Sequence, residues 1–341
     1  MASPRPSMRQ IAAEAGVSVM AVSYALRGVE GVSEATRSNV LGIAESLGYR
    51  PDPLLSHLMH HLRTKRAPKN PHNVALLHWR RDPYRELVLT GARARAEKHG
   101  YRLDVIEMSD DSPPPRVLRR MLNARGVAGL ILGPSPVRDF SALLDWERYA
   151  VVLTSYSVIS PHFHRVVPNQ FLATQLAIRA LHVKGHRRVG LVVPAWVEER
   201  VNYFHSVALY WEAARERTEP LVCYHDPETQ PPANFQNWFR KKRPDALVLC
   251  SPLDYESALC NAIGRPTVAR LGIVSLGYDT QCANTTTVDY QPALIGTVAV
   301  DQLINQLFRG ERGVPQQQQT LSIEGRWIDA PSEAQPQTIF A

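Results

Sequence analysis

Apolar side chains recur at helical spacing over the first fifty residues, and a serine precedes each of the three apolar runs. Ser7 is followed by Gln10 in the capping-box pattern, Ser18 comes directly after a short glycine turn, and Ser33 precedes the third run. The pattern predicts three short helices, the second of them over residues 19–26. Two helices joined by a tight turn and braced by a third form a helix-turn-helix.

A helix-turn-helix can place its second helix in the major groove of DNA, where side chains near the N-terminus of that helix reach base edges. The hydroxyl groups of Ser7 and Ser18 lie at helix N-termini, which are favourable positions for phosphate contacts. Spacing alone also admits a helical bundle with no role in DNA binding. The residues predicted to face outward from the second helix are Val19, Met20, Ser23 and Tyr24.

Residues 51–72 predict a short amphipathic helix and a basic linker. Leucines at positions 54, 55, 58 and 62 share one helical face, and a proline stands in the first turn. Residues 63–71 are basic and contain two prolines, which is typical of a linker. His57, His60 and His61 suit a solvated or phosphate-facing cluster better than a metal site, because no other type of metal ligand accompanies them. The first two segments of the chain are therefore a head at 1–50 and a hinge helix with its linker at 51–72.

From residue 73 the pattern changes to short apolar runs that alternate with amphipathic stretches. This alternation is typical of βαβ units with buried parallel strands, and its length predicts two doubly wound lobes within residues 73–330. Ligands of such lobes bind at the carboxyl ends of the strands, in the cleft between them. Residues 331–341 form a polar tail. Strands are predicted at 74–77, 103–106, 129–132, 151–153, 189–193, 221–224, 246–249, 273–276 and 319–323. Helices are predicted at 84–99, 116–124, 140–146, 170–184, 199–216, 234–242, 255–262 and 293–308.

Composition narrows the class of protein. The chain has 341 residues, of which 44% are hydrophobic and 21% charged, as in ordinary globular proteins. No apolar run reaches the ~18 residues of a membrane helix, and the first residues do not resemble a signal peptide. The four cysteines form no C-x-x-C pair and fit reduced thiols. We therefore expect a cytoplasmic protein.

The charge distribution points to a polyanionic partner. The net charge is +7, and residues 1–66 carry eight Lys or Arg against five Asp or Glu. Almost half of the positive excess thus lies in the first fifth of the chain. The body contains no glycine-rich phosphate loop, no G-x-S-x-G and no H-E-x-x-H motif. Asp110 and Asp111 precede a proline run and fit a solvated turn, so the sequence predicts no enzyme, no cofactor and no metal.

Three stretches of the head resemble the LacI/GalR family of bacterial transcription regulators: MRQIAAEAGVSVMAVSYALRG (8–28), VSEATR (32–37) and AESLGYRP (44–51). The resemblance implies that Val19, Met20 and Tyr24 read bases. These side chains are two apolar groups and one phenol, which favours thymine methyls and a single hydroxyl contact over a bidentate arginine–guanine pair. The resemblance further implies that Leu58 of the hinge helix inserts between base pairs in the minor groove.

The body resembles the effector domain of the same family, which has the fold of periplasmic sugar-binding proteins. The similar stretches are RGVAGLIL (125–132), GHRRVGLV (185–192) and VSLGYD (274–279). The resemblance implies effector contacts by Tyr84, Arg200 and Asp279, a set that suits sugar hydroxyls. A salt link between Arg200 and Asp279 is the alternative to a binding role. The family's usual polar residues are replaced at Pro168 and at 251–252, so the resemblance carries no effector identity.

These observations predict a sequence-specific DNA-binding transcription regulator, acting as a repressor under the control of a sugar-like effector bound between the lobes. The expected partners are a double-stranded DNA operator, the effector and a second copy of the chain, with no membrane. The expected location is the cytoplasm, in association with the nucleoid. The tail has no leucine heptads, which favours a homodimer over a tetramer. Two alternatives stay open: a DNA-binding regulator with a degenerate, ligand-free pocket, and more distantly a solute-binding protein, which the helical head opposes.

Overall fold

The chain forms two compact units, Met1–Arg66 and Ala67–Ala341. The structure is a computed structural model and describes residues 6–27, 31–49, 73–79, 83–109, 114–227, 229–250, 255–277 and 286–330. None of the helices in these ranges is both long and apolar enough to cross a membrane.

The first unit contains the three predicted helices. They are α1 (Met8–Ala15), α2 (Val19–Arg27) and α3 (Glu34–Ser46), and each packs against the other two. Six side chains are buried between them, one pair from each helix, which matches the apolar faces that helical spacing predicts. The buried set is Ile11, Ala12, Val22, Ala25, Val40 and Ala44.

The second unit begins with a lobe built on a parallel sheet, in the strand order β11-β5-β4-β3-β1-β2. Helices α4 and α12 cover one face of this sheet and α5 covers the other, so the central strands β1, β3 and β4 are buried on both sides and form nearly continuous apolar runs. The edge strands β2 and β11 are more exposed. The strands are β1 (Asn73–His78), β2 (Arg102–Glu107), β3 (Val127–Leu132), β4 (Ala150–Leu153), β5 (His164–Pro168) and β11 (Thr320–Ile323). The helices are α4 (Pro83–Lys98), α5 (Pro115–Ala124) and α12 (Pro292–Arg309).

The second lobe repeats this plan with the strand order β12-β10-β9-β8-β6-β7, in which β12 alone is antiparallel to its neighbour. Helices α6 and α8 cover one face and α9 to α11 cover the other. The strands are β6 (Val189–Val193), β7 (Leu221–Tyr224), β8 (Ala246–Leu249), β9 (Gly272–Leu276), β10 (Thr287–Asp289) and β12 (Arg326–Ile328). The helices are α6 (Gln170–Val183), α7 (Ala195–Arg200), α8 (Phe204–Glu216), α9 (Pro232–Lys242), α10 (Tyr255–Ile263) and α11 (Arg265–Val268).

The chain crosses between the lobes after β5, after β10 and after β11, and hydrogen bonds join the three connections. The backbone N–H of Asn169 donates to the carbonyl of Ile323 (2.8 Å), and the side chain of Gln291 donates to the carbonyl of Glu324 (2.9 Å). A side chain on Gly325 would overlap Val288, so only glycine fits where these connections meet.

Most predicted elements are confirmed to within two residues, but two helix predictions are wrong. Residues 140–145 form a loop that leads into a 3-10 helix at Trp146–Arg148. The cause is a neighbouring loop: Phe140 N–H donates to the carbonyl of Ser160 (2.7 Å), and Ile159 N–H donates to the carbonyl of Arg138, just before the segment (2.9 Å). Their apolar side chains nevertheless pack on the sheet, with Phe140 stacked on Trp79 at 4.9 Å. The predicted helix 199–216 is divided into α7 and α8. Strands β5, β10 and β12 were not predicted.

Candidate functional site

The N-termini of α1 and α2 are capped as predicted. Ser7 Oγ accepts the backbone N–H of Gln10 (3.3 Å) while Gln10 Oε1 accepts that of Ser7 (2.8 Å), which completes the capping box. Ser18 Oγ accepts the backbone N–H of Ala21 at 3.1 Å. Both serines are exposed. Each cap satisfies one helix N–H and leaves others of the first turn pointing outward, where an anion can bind them.

The first turn of α2 presents apolar side chains to solvent. Val19 is 42% exposed and Met20 is 59% exposed, and Leu41 of α3 is the other large apolar side chain exposed in the described part of the head, at 45%. Exposed apolar side chains at the start of a recognition helix can contact thymine methyl groups in the major groove. Their exposure agrees with the predicted outward face.

Tyr24 is half-buried, and the edge of its ring lies against Gly31, on the loop that leads to α3. A Cβ on Gly31 would come within 2.9 Å of Tyr24 Cδ2, so this glycine makes room for the ring. Tyr24 therefore combines a packing contact with partial exposure on α2.

The placement of Ser23 on the outward face is wrong. Ser23 is only 7% exposed. Both α1 and α3 pack against α2, so they cover a wider face of this helix than its large apolar residues occupy. Ser23 lies beside those apolar residues, and its small side chain is buried together with them. Leu58, like the whole of 51–72 with its three histidines, lies outside the described residues.

In the body, the carboxyl ends of the strands of both lobes carry the candidate ligand-binding side chains. Tyr84 is in the first turn of α4, directly after β1, and is partly buried. Burial raises the pKa of Tyr290, with smaller contributions from Cys250, from Tyr84 and from the carboxylate of Glu198. Tyr84 itself packs against the apolar cluster that α4 and α12 form on the first sheet.

Arg200 is the last residue of α7 rather than the start of the long helix. Its guanidinium lies over the ring of Trp196, 5.0 Å from the ring centre, and Trp196 Nε1 donates to Asp226 at 3.3 Å. Burial lowers the pKa of Arg200, and the positive charge of Arg138 lowers it further. Arg138 follows β3 in the first lobe and is exposed.

The break between α7 and α8 has a clear physical cause. Asn202 and Tyr203 both adopt left-handed backbone conformations (φ of 55° and 60°), which end one helix and start another. Glu198 is fully buried, and its Oε2 accepts the backbone N–H of Ser206 at 3.0 Å, in the first turn of α8. A buried carboxylate thus performs the capping role that Tyr203 cannot. No local spacing rule would have identified Glu198.

One contact between the lobes is aromatic. Tyr156, after β4, meets Phe204 at the start of α8 edge to face, with ring centres 5.9 Å apart. Arg165 of β5 lies over the same tyrosine ring at 5.2 Å. Asp279 is outside the described residues, so its predicted role and the alternative salt link to Arg200 both stay predictions. Within the described ranges, no three His, Cys, Asp or Glu side chains converge to hold a metal ion.

Two family models match the chain. The model of "Bacterial regulatory proteins, lacI family" matches residues 7–52, and that of "Periplasmic binding proteins and sugar binding domain of LacI family" matches residues 71–219. The first is the capped three-helix head and the second begins with the first lobe. Together they account for more than half of the sequence, and the chain belongs to the LacI family.

Curated relatives and solved structures agree with this assignment. The HTH-type transcriptional repressor CytR of Escherichia coli K12 is 23% identical over 188 residues, which are 54% of this chain and 53% of CytR. The chain thus matches only about half the length of that relative. The repressor PurR of Pectobacterium carotovorum is 24% identical over 283 residues, or 80% of each chain.

Among solved structures, the complex of the regulator CelR with cellobiose has a TM-score of 0.58 at 20% identity and covers 96% of this chain and 99% of CelR. The lac repressor dimer bound to operator and an anti-inducer has a TM-score of 0.57 at 16% identity, and the match covers 96% of this chain and 98% of the lac repressor chain. Identities this low establish the fold, and two doubly wound lobes behind a helix-turn-helix head are confirmed.

Proposed function

We propose that this protein is a transcriptional repressor that binds a specific DNA operator through its helical head. The observation that carries the proposal is the exposed first turn of α2, where Val19 and Met20 point outward directly after the capping Ser18, while Ser7 caps α1. An α-helix with such a surface fits the major groove, and the capped N-termini fit phosphates. CytR and PurR are named as repressors, which supports the same function here.

The proposed assembly is a homodimer on a pseudo-palindromic operator, with one half-site for each head. The lac repressor structure contains a dimer on its operator, which supports this arrangement. Leu58 is proposed to insert into the minor groove at the centre of the site. We expect Leu58→Ala to weaken specific binding and to leave non-specific binding almost unchanged, because phosphate contacts set the latter.

The cleft between the lobes is the proposed effector site, with Tyr84, Arg200 and Asp279 among its contacts. The effector would alter the relative orientation of the lobes and thereby the affinity for DNA. CelR, with cellobiose bound, supports a sugar-like ligand in such a fold. A regulator with a ligand-free pocket remains the second candidate, since Pro168 replaces a usual polar contact. Thermal shift against mono- and disaccharides, nucleobases and sugar phosphates separates the two.

The test of DNA reading uses selection from randomised DNA followed by fluorescence anisotropy on the selected site. Met20→Ala removes an exposed side chain from α2, and Leu41→Ala removes one of similar exposure (45%) from α3. We expect Met20→Ala to weaken specific binding about 5- to 150-fold, which corresponds to ~1–3 kcal/mol for a base contact. Leu41→Ala should bind as the unmodified protein does. Equal effects of the two variants would contradict base reading by α2.

A further inference from the structure

Helix α8 is apolar on its outer face as well as on its inner face. The inner face packs on α6 and on the second sheet and buries Ala208, Leu209 and Ala213. The outer face presents large apolar side chains that recur every three or four residues and thus form one line along the helix. They are Tyr203, Val207, Tyr210 and Trp211, which are 50%, 50%, 53% and 60% exposed. A helix that is apolar all round is typical of one covered on both sides.

Tyr224, the last residue of the edge strand β7, widens this surface. Its hydroxyl lies 3.2 Å from Ser206 Oγ, in the first turn of α8, and the residue is 48% exposed. Val222, two residues earlier in β7, packs in the apolar cluster beneath α6 and α8, so Tyr224 lies on the same face of the sheet. We call these five exposed side chains the α8 stripe: Tyr203, Val207, Tyr210, Trp211 and Tyr224.

The area of the α8 stripe suits a reversible contact between proteins. An aromatic side chain buries ~150–250 Å² in a core, so each half-exposed ring of the stripe leaves about 75–125 Å² in water. The whole stripe therefore offers on the order of 400–500 Å², a size at which exposed apolar patches are often functional. Two such surfaces in contact would remove roughly 800–1,000 Å² from water, which is below the ~1,200–2,000 Å² of a stable interface and within the range of transient ones.

Opposite charges stand at the two ends of the α8 stripe. Glu199 is exposed at the N-terminal end, next to the buried Glu198 whose carboxylate bonds to the first turn of α8. Arg217 is exposed at the C-terminal end, where its backbone ends the helix. Neither Glu199 nor Arg217 takes part in an ion pair with another described residue. About 20 Å of helix separates the two ends, so the two charges cannot meet within one chain.

The other charges near these ends already have partners. Arg215 forms an ion pair with Glu216 at 3.0 Å, and Glu219 forms one with Lys242. The guanidinium of Arg200 lies over a tryptophan ring of its own helix. Among the described residues at the two ends, the exposed charges without an ion pair are therefore one acid and one base. A second copy of the chain in reversed orientation presents each of them with its complement.

We propose that two copies of this chain associate through the α8 stripe, with their α8 helices antiparallel across a two-fold axis. A two-fold contact brings the same surface of each chain against the other, so that surface must be complementary to itself. The antiparallel arrangement meets this condition, because it opposes Glu199 of each copy to Arg217 of the other and also opposes the helix dipoles. The proposed function needs only one dimer on one operator, and the α8 contact goes beyond it by joining two such assemblies.

The first experiment follows the mass of the full chain without DNA by sedimentation equilibrium over a wide range of concentrations. We expect the mass of the basal assembly to double reversibly as the concentration rises. Val207→Lys places a charge close to the two-fold axis in both copies and should weaken this association at least ~10-fold, because like charges brought together across an interface repel. Val314→Lys is the matched control, since Val314 is 44% exposed in the segment before β11 and should leave the association unchanged.

The second experiment reverses the two charges at the ends of the stripe. Glu199→Arg and Arg217→Glu should each weaken the association about 3- to 30-fold, because the two-fold axis repeats the exposed pair twice. The double variant restores both pairs with their signs exchanged and should associate within ~3-fold of the unmodified chain. Recovery of this kind identifies a second copy as the partner, since the two residues are too far apart to interact within one chain.

A mass that stays constant with concentration overturns the proposal, and so does equal weakening by Val207→Lys and Val314→Lys or a double reversal as weak as the single ones. An apolar partner of another kind would give the first of these results. Operator binding is measured in parallel by anisotropy, and Val207→Lys should bind a single operator as the unmodified chain does. Loss of operator binding in Val207→Lys alone would overturn a contact additional to the operator-binding dimer. Failure of the unmodified chain to bind any operator would contradict the proposed function and leave the mass measurements valid.

Discussion

His205, the second residue of α8, is buried between α8 and α6, and its surroundings determine its protonation. Thr174 Oγ1 lies 2.9 Å from His205 Nδ1 and 2.8 Å from the carbonyl of Gln170. The hydroxyl has one proton, which it donates to that carbonyl, so His205 must donate its Nδ1 proton to the hydroxyl oxygen. Burial lowers the pKa of His205 to about 3, and the ring is neutral at ordinary pH.

This histidine makes the body less stable in acid. Between about pH 6.5, the value in an unfolded chain, and about pH 3, the unfolded state binds a proton that the folded state does not, so stability falls as the pH falls. The contribution is at most about 1.4 kcal/mol per pH unit. We expect His205→Gln to flatten the decline in the free energy of unfolding from pH 7 to pH 5, measured with urea.

The control for this prediction is His162→Gln, at an exposed position, which should keep the original slope. Burial also lowers the pKa values of His164, His182 and His225, so a residual slope is expected in His205→Gln. An unchanged slope in His205→Gln would show that the pKa of His205 is the same in the folded and unfolded chains.

Tyr24 offers a prediction about base preference. Its ring packs on Gly31 but the residue stays half exposed on α2, so a longer polar side chain can be accommodated there. We expect Tyr24→Arg to shift selection toward guanine at one symmetric pair of operator positions, because arginine donates two hydrogen bonds to guanine O6 and N7. Selection from randomised DNA, with circular dichroism to verify the helices, measures this. An unchanged selected site with intact helices would show that Tyr24 does not face a base.

Single residues were predictable from the sequence where a local rule governs them. Ser7 and Ser18 cap helices through bonds three residues along the chain, and spacing reveals such bonds. Ser23 and Glu198 were not predictable in this way. The burial of Ser23 depends on two neighbouring helices, and Glu198 bonds to the start of a helix whose boundary local pattern does not reveal.

Among the helices that the structure describes, α4 and α12 of the body pack backbone against backbone. A side chain on Gly91 would overlap the carbonyl oxygen of Ala293, and one on Gly296 would overlap that of Val88. The two backbones therefore touch at two points, which bury α12 against the first lobe although it follows the second lobe in sequence. The ion pair between Arg95 and Asp301 (2.6 Å) flanks this contact.

We expect Gly91→Ala and Gly296→Ala each to destabilise the body by at least ~1–3 kcal/mol, because a methyl group would force the backbones apart. This result would be opposite in sign to the intrinsic gain of about 1 kcal/mol for alanine over glycine in a helix. Gly42→Ala in α3 is the control, since its Cβ would meet no atom within 4 Å and should stabilise the head. Thermal unfolding followed by circular dichroism measures all three. A stabilising Gly91→Ala would contradict the close contact.

Helices such as α6 and α12 were predictable because apolar residues recur at helical spacing over their whole length. Segments whose conformation is set by tertiary contacts were not. The apolar spacing of residues 140–146 suggests a helix, yet hydrogen bonds to residues 159–160 hold the segment as a loop. Strand β5 contains His164 and Arg165 among its valines, which conceals a buried strand from pattern reading. Arg165 stays buried in this strand because its guanidinium lies over the ring of Tyr156, a tertiary contact that no sequence pattern reveals.

At the scale of the whole molecule, the head and the body have separate hydrophobic cores. Among the described residues, the head core is formed by α1 to α3 and the residues beside them, and the body cores are formed by residues from 73 onward. The body is itself unified by the three connections between its lobes, so a change in the cleft can alter the relation of the lobes without unfolding either sheet. Sequence periodicity predicted two lobes, but only the fold shows that α12 and β11 return to the first.

The head has its own hydrophobic core and carries almost half of the positive excess of the chain, so its removal should separate DNA binding from the folding of the body. Residues 1–66 hold eight basic side chains and the capped helices, so a chain that starts at residue 67 should keep the circular dichroism spectrum of an α/β protein and lose operator binding. Operator binding by the full chain should weaken steeply with salt, because each phosphate neutralised by Lys or Arg releases a counterion. A protein with six to ten phosphate contacts loses ~10³–10⁵ in affinity between 50 and 200 mM salt. Anisotropy titrations at several potassium chloride concentrations give the slope. A slope near zero, or residual operator binding by the shortened chain, would show that the head is not the DNA-binding surface.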